Sequence, residues 1–255
     1  MVIFVSGCAT NWYKKSYHDE TKGVDPFKSG LVIMTTANPE IVIGGEDVRA
    51  DNIRMSEDNY ALLGYSSFWS VHAKNEQAIK FGKEIHAEKI LLYEKYKDTR
   101  SGVVPMTLPS TQTSYTQGMI GSRPVSARTT SYGTQTNYFP YSVDRYDYLA
   151  SYWVKIKNLP VLGVICDDLS DEQRKQISSN KGVVVIGVMK NTPAFIGDLF
   201  KGDIIKKIDG SEIIDRKMFG DLLNKINGKK ITITLLRDGK EVNKTIQTNS
   251  RPSIP

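Results

Sequence analysis

The chain has 255 residues, of which 40% are hydrophobic and 24% charged, and its formal net charge is +6. This length suits one large domain or two ordinary ones, and the composition allows a packed core. No apolar run reaches the roughly 18 residues that a membrane-spanning helix needs. Lysine and arginine are dispersed rather than clustered on one element, so we expect no nucleic-acid partner.

The chain begins with a short stretch, Val5-Ser6-Gly7-Cys8, that resembles a bacterial lipobox. The resemblance implies a lipid on Cys8, contact with a membrane through that lipid, and a place in the bacterial cell envelope, either periplasmic or at the outer surface. The stretch before Cys8 has no basic residue and is shorter than the roughly 7–15 apolar residues of a secretory signal. A first strand with a buried free cysteine is therefore the alternative. Residues 9–30 are polar and turn-rich, so residues 1–30 are predicted to be a signal remnant followed by a tether.

Residues 31–157 are predicted to form an α/β domain. Short apolar runs bounded by turn residues indicate its strands. Apolar residues at helical spacing indicate the helix at 74–87, and a charged stretch indicates the one at 46–59. The strands are expected at 31–34, 41–43, 60–68 and 89–93, and the helices at 46–59 and 74–87. The second helix lies between two buried strands, which makes a β-α-β unit, and such a crossover normally places its strands parallel.

Residues 99–143 differ in composition from the rest, since they contain no acid and no lysine. Threonine and tyrosine favour strands, and Gly118 and Gly121 favour a turn between them. We therefore predict a long β-hairpin arm with a partly mobile tip. A disordered loop is the alternative, because little in the segment can bury a core. Residues 145–157 then alternate apolar and polar side chains, which predicts a strand that closes the domain.

The C-terminal region carries four recognisable blocks, at 162–164, 182–188, 192–210 and 216–240. Together they resemble the PDZ domains of the HtrA protease family. Residues 158–249 are therefore expected to form a PDZ domain, a small and mostly antiparallel β-barrel or sandwich with one or two helices. With it, the whole chain is predicted to be α+β. The first domain resembles the N-terminal part of bacterial PDZ lipoproteins, a resemblance that implies no activity.

The PDZ resemblance places a ligand groove between one strand and one helix. A bound peptide adds a strand to the sheet edge, and a terminal carboxylate needs several N–H donors at one point, which a glycine-containing loop provides. On the helix, two apolar residues one turn apart would line the groove, although both would equally suit the core. The candidate peptide-binding residues are Val161, Leu162, Gly163, Val164, Ile165, Cys166, Met218 and Leu222. The partners that they imply are protein C-termini or extended peptide segments.

No catalytic motif is present in the sequence. Gly-x-Ser-x-Gly, a Walker loop and clustered carboxylates are all missing, and the histidines are His18, His72 and His86. We therefore expect no catalytic residue, metal or cofactor, and predict a non-catalytic protein that recruits partners. Two alternatives stay open at this point. Residues 31–157 could hold an enzyme of unrecognised type to which the PDZ domain supplies substrate, or the arm could drive self-association into a structural homo-oligomer.

Overall fold

The computed structural model describes residues 10–21, 23–120 and 123–251, apart from the side chains of 106–139 and 141. The helices are α1 (Trp12–Lys15), α2 (Val48–Glu57), α3 (Asn75–Glu84), α4 (Asp171–Gln176), α5 (Pro193–Ile196) and α6 (Arg216–Lys225). The strands are β1 (Tyr17–Asp19), β2 (Glu40–Ile43), β3 (Tyr60–Ser70), β4 (Lys89–Ile120), β5 (Arg123–Lys155), β6 (Val164–Asp168), β7 (Val183–Val188), β8 (Ile204–Ile208), β9 (Ser211–Glu212), β10 (Lys230–Arg237) and β11 (Lys240–Gln247). None of the helices in these ranges is long and apolar enough to cross a membrane.

The chain divides into two compact units at the base of the arm. One unit contains the chain up to Phe68, Ala73–Glu94 and everything from Tyr148 onward, and the other contains Trp69–His72 and Lys95–Asp147. The first unit therefore holds the C-terminal domain together with the part of the N-terminal sheet that lies outside the arm. The boundary predicted between residues 157 and 158 stays a prediction.

The N-terminal sheet has the strand order β1-β3-β5-β4-β2. The pair β2–β4 is parallel, from Glu40 opposite Lys89 to Ile43 opposite Leu92. The two strands of the predicted β-α-β unit, β3 and β4, are not neighbours, because β5 lies between them. At 31–34, where a strand was predicted, the structure has one isolated antiparallel bridge. It joins Val32 to Ile156, the residue that follows β5.

Residues 11–20 are part of the fold and not a tether. Tyr13 is only 1% exposed and meets the ring of Phe68 edge-on, with centroids 4.9 Å apart. The Ser66 hydroxyl donates to Tyr13 O at 2.6 Å, and β1 pairs antiparallel with β3. Burial of aromatic surface thus draws this polar stretch onto the sheet. The predicted lipobox and Cys8 lie outside the described residues.

Strand β5 is buried on both faces. Trp153 packs with Met55 of α2 and Leu91 in one cluster. The neighbouring Tyr152 meets Phe81 of α3, with ring centroids 5.3 Å apart. Since successive side chains of a strand point to opposite faces, helices cover the sheet on both sides here. Alternating polarity suits a strand with one buried and one exposed face, but this part of β5 is buried on both faces.

The arm is formed by β4 and β5, which are 32 and 33 residues long and are hydrogen-bonded neighbours. The predicted hairpin is confirmed and the disordered loop is wrong, while residues 121–122 at the tip lie outside the described residues. At the base of the arm, Arg145 pairs with Asp98, and its guanidinium carbon lies 4.8 Å from the centroid of the Trp69 ring. Self-association through the arm stays a prediction.

The C-terminal sheet has the order β11-β10-β8-β7-β6, with every pair antiparallel, and β9 pairs with β8. Its core contains Val183, Ile205, Ile231, Ile233 and Leu235, all at most 1% exposed. The predicted antiparallel structure is confirmed, but the sheet is open and not closed into a barrel, and three helices accompany it. In the described chain β6 and β11 are its edges, and β6 lies nearest the predicted ligand groove.

Candidate peptide-binding groove

The loop between β5 and β6 is fixed by hydrogen bonds to its carbonyl oxygens. Leu162 O accepts from the Ala194 amide at 2.8 Å, and Gly163 O accepts from the Met189 amide at 2.9 Å. Leu162 itself is 1% exposed and belongs to the core of the C-terminal domain. The loop is therefore held by its carbonyl side and by one buried side chain.

The amide groups of the same loop point the other way. In a trans peptide the N–H is directed opposite to the C=O that precedes it. The carbonyls of Val161, Leu162 and Gly163 all point into the protein, the first of them toward Asn249 N at 3.0 Å. The following N–H groups, of Leu162, Gly163 and Val164, consequently point away from it. Within the described part of the chain, the Leu162 and Gly163 amides donate to no acceptor.

Gly163 is required by the backbone and by its surroundings. Its φ is +85°, a conformation that side chains with a Cβ rarely adopt. A Cβ at this position would lie 2.3 Å from both Cβ and Oγ1 of Thr192. Thr192 is fully buried and donates from Oγ1 to Met189 O at 2.6 Å, so it has no room to withdraw. Any residue other than glycine would displace the loop.

Strand β6 presents one unpaired edge. Among the described strands it pairs with β7 alone. The Met189–Gly163 hydrogen bond makes Val164 and Val188 a non-hydrogen-bonded pair, so the N–H and C=O of Val164 point away from β7. An extended peptide laid along β6 would meet these groups as a new strand.

The groove is open at the loop and bridged at its other end. Helix α6 starts from the N-cap Asp215, whose side chain accepts from Met218 N at 2.7 Å. One residue further along the helix, the Arg216 amide donates to Asp168 Oδ1 at 2.7 Å. Asp168 is the last residue of β6, so this bond ties strand and helix together. A ligand strand therefore has the five residues of β6 as its free edge.

A cavity of about 740 Å³ opens beside the loop. This size lies within the roughly 300–1,000 Å³ of ordinary ligand pockets, and its walls are mainly apolar. The lining residues are Pro26, Leu31, Val32, Ala61, Ile156, Asn158, Leu159, Pro160, Val161, Leu162, Gly163, Val164, Met189, Gly220, Leu223, Asn224, Ser250 and Arg251. The loop amides and the start of the edge strand thus belong to one concave site.

Among the lining residues in the described part of the chain, Arg251 has the one charged side chain. Its guanidinium donates to Leu223 O and to Asn224 Oδ1, both at 3.0 Å, at the C-terminal end of α6. A cation there is favoured by the partial negative charge at a helix C-terminus. The same cation gives the cavity a positive charge, which complements an anionic ligand group.

The structure brings most of the predicted site residues together. Residues 161–164 line the cavity, and Ile165 and Cys166 continue from them along the edge strand. The side chain of Cys166 turns into the core, where burial, with a smaller contribution from the charge of Asp167, raises the pKa of its thiol to about 12. The thiol therefore stays protonated at neutral pH and is not a nucleophile. Because its side chain faces the core, Cys166 can contact a ligand through its main chain.

On helix α6 the residues that line the cavity are neighbours of the predicted ones, and the role of Met218 and Leu222 in ligand binding stays a prediction. Gly220, Leu223 and Asn224 line the cavity, whereas the sequence analysis placed Met218 and Leu222 toward the ligand. Leu222 packs against the core instead, and Met218 is half-buried away from the lining. The apolar face of this helix is wide, and periodicity alone did not show which part of it points to the cavity.

One wall of the cavity was missed by the sequence analysis. Its residues precede the PDZ domain, or follow it by two positions in the case of Arg251. No local pattern marks them, because they are single apolar or basic residues, and all but Ile156 lie far from the loop in the sequence. They are Pro26, Leu31, Val32, Ala61, Ile156 and Arg251.

The three histidines have separate structural surroundings. His18 stacks on Tyr65 with ring centroids 5.1 Å apart, and His86 Nδ1 lies 3.1 Å from Thr35 O. His72 is exposed. In the described ranges no three His, Cys, Asp or Glu side chains come close enough to hold a metal ion.

Comparison with known proteins supports the assignment of the C-terminal domain. Residues 160–248 match the PDZ domain family. Among solved structures, the chain is similar to the HtrA-type protease AlgW with decapeptide (28% identity, TM-score 0.32, 40% of this chain and 37% of that one). It is also similar to the HtrA3 PDZ domain bound to a phage-derived ligand, FGRWV (18% identity, TM-score 0.31, 34% and 83%). No curated protein matches the chain. The part that carries the groove, residues 160–248, is a PDZ domain.

Proposed function

We propose that this chain recruits other proteins by binding their free C-termini in the groove of its PDZ domain. The observation that carries the proposal is the loop at 161–164, where three successive amides point away from the protein at the start of a strand with one unpaired edge. A terminal carboxylate supplies the acceptors that these donors lack, and the preceding residues supply a strand for β6.

Charge favours a C-terminus over an internal segment. The groove ends in a cavity to which Arg251 contributes the one charged side chain found among the described lining residues. An internal peptide would place neutral groups there and would have to continue past the loop. A terminal carboxylate would gain hydrogen bonds to the amides and the attraction of the guanidinium.

Amidation of the ligand tests the proposal directly. Peptides are first selected with the full chain from a library displayed with free C-termini. The tightest peptide is then synthesised with a free carboxylate and with a C-terminal amide. We expect the amide to bind at least about ten-fold more weakly in calorimetric titration, because it loses charge-assisted hydrogen bonds. Equal affinities, or a library that yields no binder, would contradict carboxylate capture.

We also propose that the protein contributes binding and not chemistry, and that a lipid on Cys8 holds it in the bacterial cell envelope. The support is in the sequence: the Val5–Cys8 stretch resembles a lipobox, and no nucleophilic serine motif is present. Expressed in a bacterium, the wild-type chain should incorporate a radioactive fatty acid, and Cys8→Ser should not. Labelling that is equal in both proteins, or missing from both, would refute the anchor.

A further inference from the structure

The cavity at the carboxylate end of the groove is only partly built by the PDZ domain. Its loop side consists of residues 159–164, with Gly220 and Leu223 from α6. The opposite side comes from chain segments that precede residue 157, namely Pro26, Leu31, Val32, Ala61 and Ile156. Both sides belong to the same compact unit. A residue bound at the loop would therefore also touch the N-terminal sheet.

This outer wall is attached firmly to the sheet. Val32 bridges antiparallel to Ile156, and hydrogen bonds of 2.9 Å on either side join Ile33 N to Lys155 O and Lys157 N to Leu31 O. Val32 is 7% exposed, so its side chain is already packed. A wall with two-sided main-chain support does not shift to suit each ligand.

The sheet is in turn fastened to the PDZ domain next to the groove. At the C-terminal end of α2, Glu57 O accepts a hydrogen bond from the Lys190 amide at 2.8 Å. Just after this helix, Asn59 Nδ2 donates to Lys190 O at 3.0 Å. The Glu57 carboxylate accepts from Val188 N at 3.3 Å, on the side of β7 that faces away from β6. These bonds fix the distance between the outer wall and the loop.

Ala61 is the smallest side chain on the outer wall. Its neighbours Tyr60 and Leu62 pack in the cluster around Trp153 on the other face of the sheet. Because side chains alternate along a strand, Ala61 points to the opposite face, where it lines the cavity. A methyl group at this place leaves space for a ligand side chain, and a larger residue would take that space.

We propose that the N-terminal sheet forms the outer wall of the pocket for the ligand's last side chain and thereby selects a large apolar C-terminal residue. The inference rests on the proposed C-terminus binding. A peptide whose carboxylate meets the loop amides places its last side chain beside them, in a cavity lined mostly by Leu, Val, Ile and Pro. Phenylalanine, leucine or isoleucine would bury much apolar surface there, and alanine would leave the cavity largely unfilled.

Selection from a random library with free C-termini tests this inference on the full chain. We expect the wild type to enrich peptides ending in Phe, Leu or Ile, and a selected peptide to lose about 10–100-fold in affinity when its last residue becomes alanine. Ala61→Phe should shift the enrichment to Ala, Ser or Gly at the last position. Ala61→Leu is a smaller change that keeps the test available if Ala61→Phe folds poorly. Ser67→Phe, at an exposed position of the same strand, is the matched control and should select as the wild type does.

The outcomes separate this inference from the proposed function. If the wild type selects no C-terminal peptide, the proposed function fails and this inference falls with it. If the wild type selects large apolar C-terminal residues and both Ala61 variants keep that preference, the outer wall does not determine which last residue is selected. Only this inference then fails. A uniform loss of affinity in the Ala61 variants, whatever the last residue, would overturn it as well.

Discussion

Replacement of Gly163 by alanine is expected to weaken binding of C-terminal peptides at least ten-fold and to lower the free energy of unfolding by about 2–4 kcal/mol. The left-handed φ of +85° accounts for about 1 kcal/mol of that loss. The remainder is overpacking, typically about 1–3 kcal/mol, because the new Cβ would lie 2.3 Å from the fully buried Thr192. Relief of the clash moves the loop and misdirects its amides.

Gly239→Ala is a matched control for this substitution. Gly239 also has a positive φ, +74°, but nothing lies within 4 Å of the position where its Cβ would be. Alanine there should cost about 1 kcal/mol through backbone strain alone, and peptide affinity should stay unchanged. Urea unfolding and calorimetric titration of the two variants measure both effects. If Gly163→Ala bound peptides as tightly as Gly239→Ala does, the loop amides would not be the ligand's anchor.

The parts of the fold that sequence predicted well are set by local chemistry. Strand β8 lies between Gly202 and Gly210, where glycine-containing turns on both sides of an apolar run indicate a short strand. The hairpin of β10 and β11 turns at Asp238 and Gly239, both of which have positive φ, as an Asp-Gly turn requires. Gly163 was likewise identified from its place in the loop, and its φ and close contact to Thr192 explain why it is glycine.

The parts that sequence did not predict depend on contacts between distant residues. Insertion of β5 between β3 and β4 requires a strand that follows them by the whole length of the arm. Tyr13 lies in a polar stretch, and its burial depends on Phe68, which is 55 positions away. The outer wall of the cavity has the same origin, since Ala61 and the loop at 161–164 meet only through tertiary packing. Periodicity and turn signals contain no information on such pairs.

Replacement of Asp203 by alanine is expected to lower the free energy of unfolding by about 3–5 kcal/mol, the range for a buried ion pair that loses one partner. Asp203 is 2% exposed, and its two carboxylate oxygens accept from Nε and a terminal nitrogen of Arg237, both at 2.7 Å. One of them also accepts from Phe200 N at 2.9 Å. The substitution removes this buried acceptor from the Arg237 guanidinium, which is 25% exposed, and from the Phe200 amide.

Glu212→Ala is the control for the loss of an ion pair as such. The pair of Glu212 with Lys181 has a similar length of 2.6 Å, but both side chains are about half exposed. Exposed ion pairs contribute roughly 0–1 kcal/mol to stability, so the free energy of unfolding of this variant should be close to that of the wild type. Urea denaturation at low and high salt compares the two variants. The loss of unfolding free energy in Asp203→Ala should depend less on salt, because the Asp203–Arg237 pair is screened less than the exposed Glu212–Lys181 pair. Losses of the same size in both variants would show that burial does not strengthen the Asp203 pair.

Stability and binding should separate in these variants, and this separation tests whether the groove is a preformed site. The main chain at Asp203 is joined to β7, since Asp203 O accepts from Val185 N at 2.8 Å and the preceding Gly202 N donates to Val185 O at 2.8 Å. The ion pair therefore supports the sheet without touching the loop. Well below its lowered melting temperature, Asp203→Ala should bind peptides with wild-type affinity, whereas Gly163→Ala should bind weakly even when fully folded. A fall in the affinity of folded Asp203→Ala would mean that the groove depends on the stability of the whole sheet, and a rigid edge strand would then be the wrong description of the site.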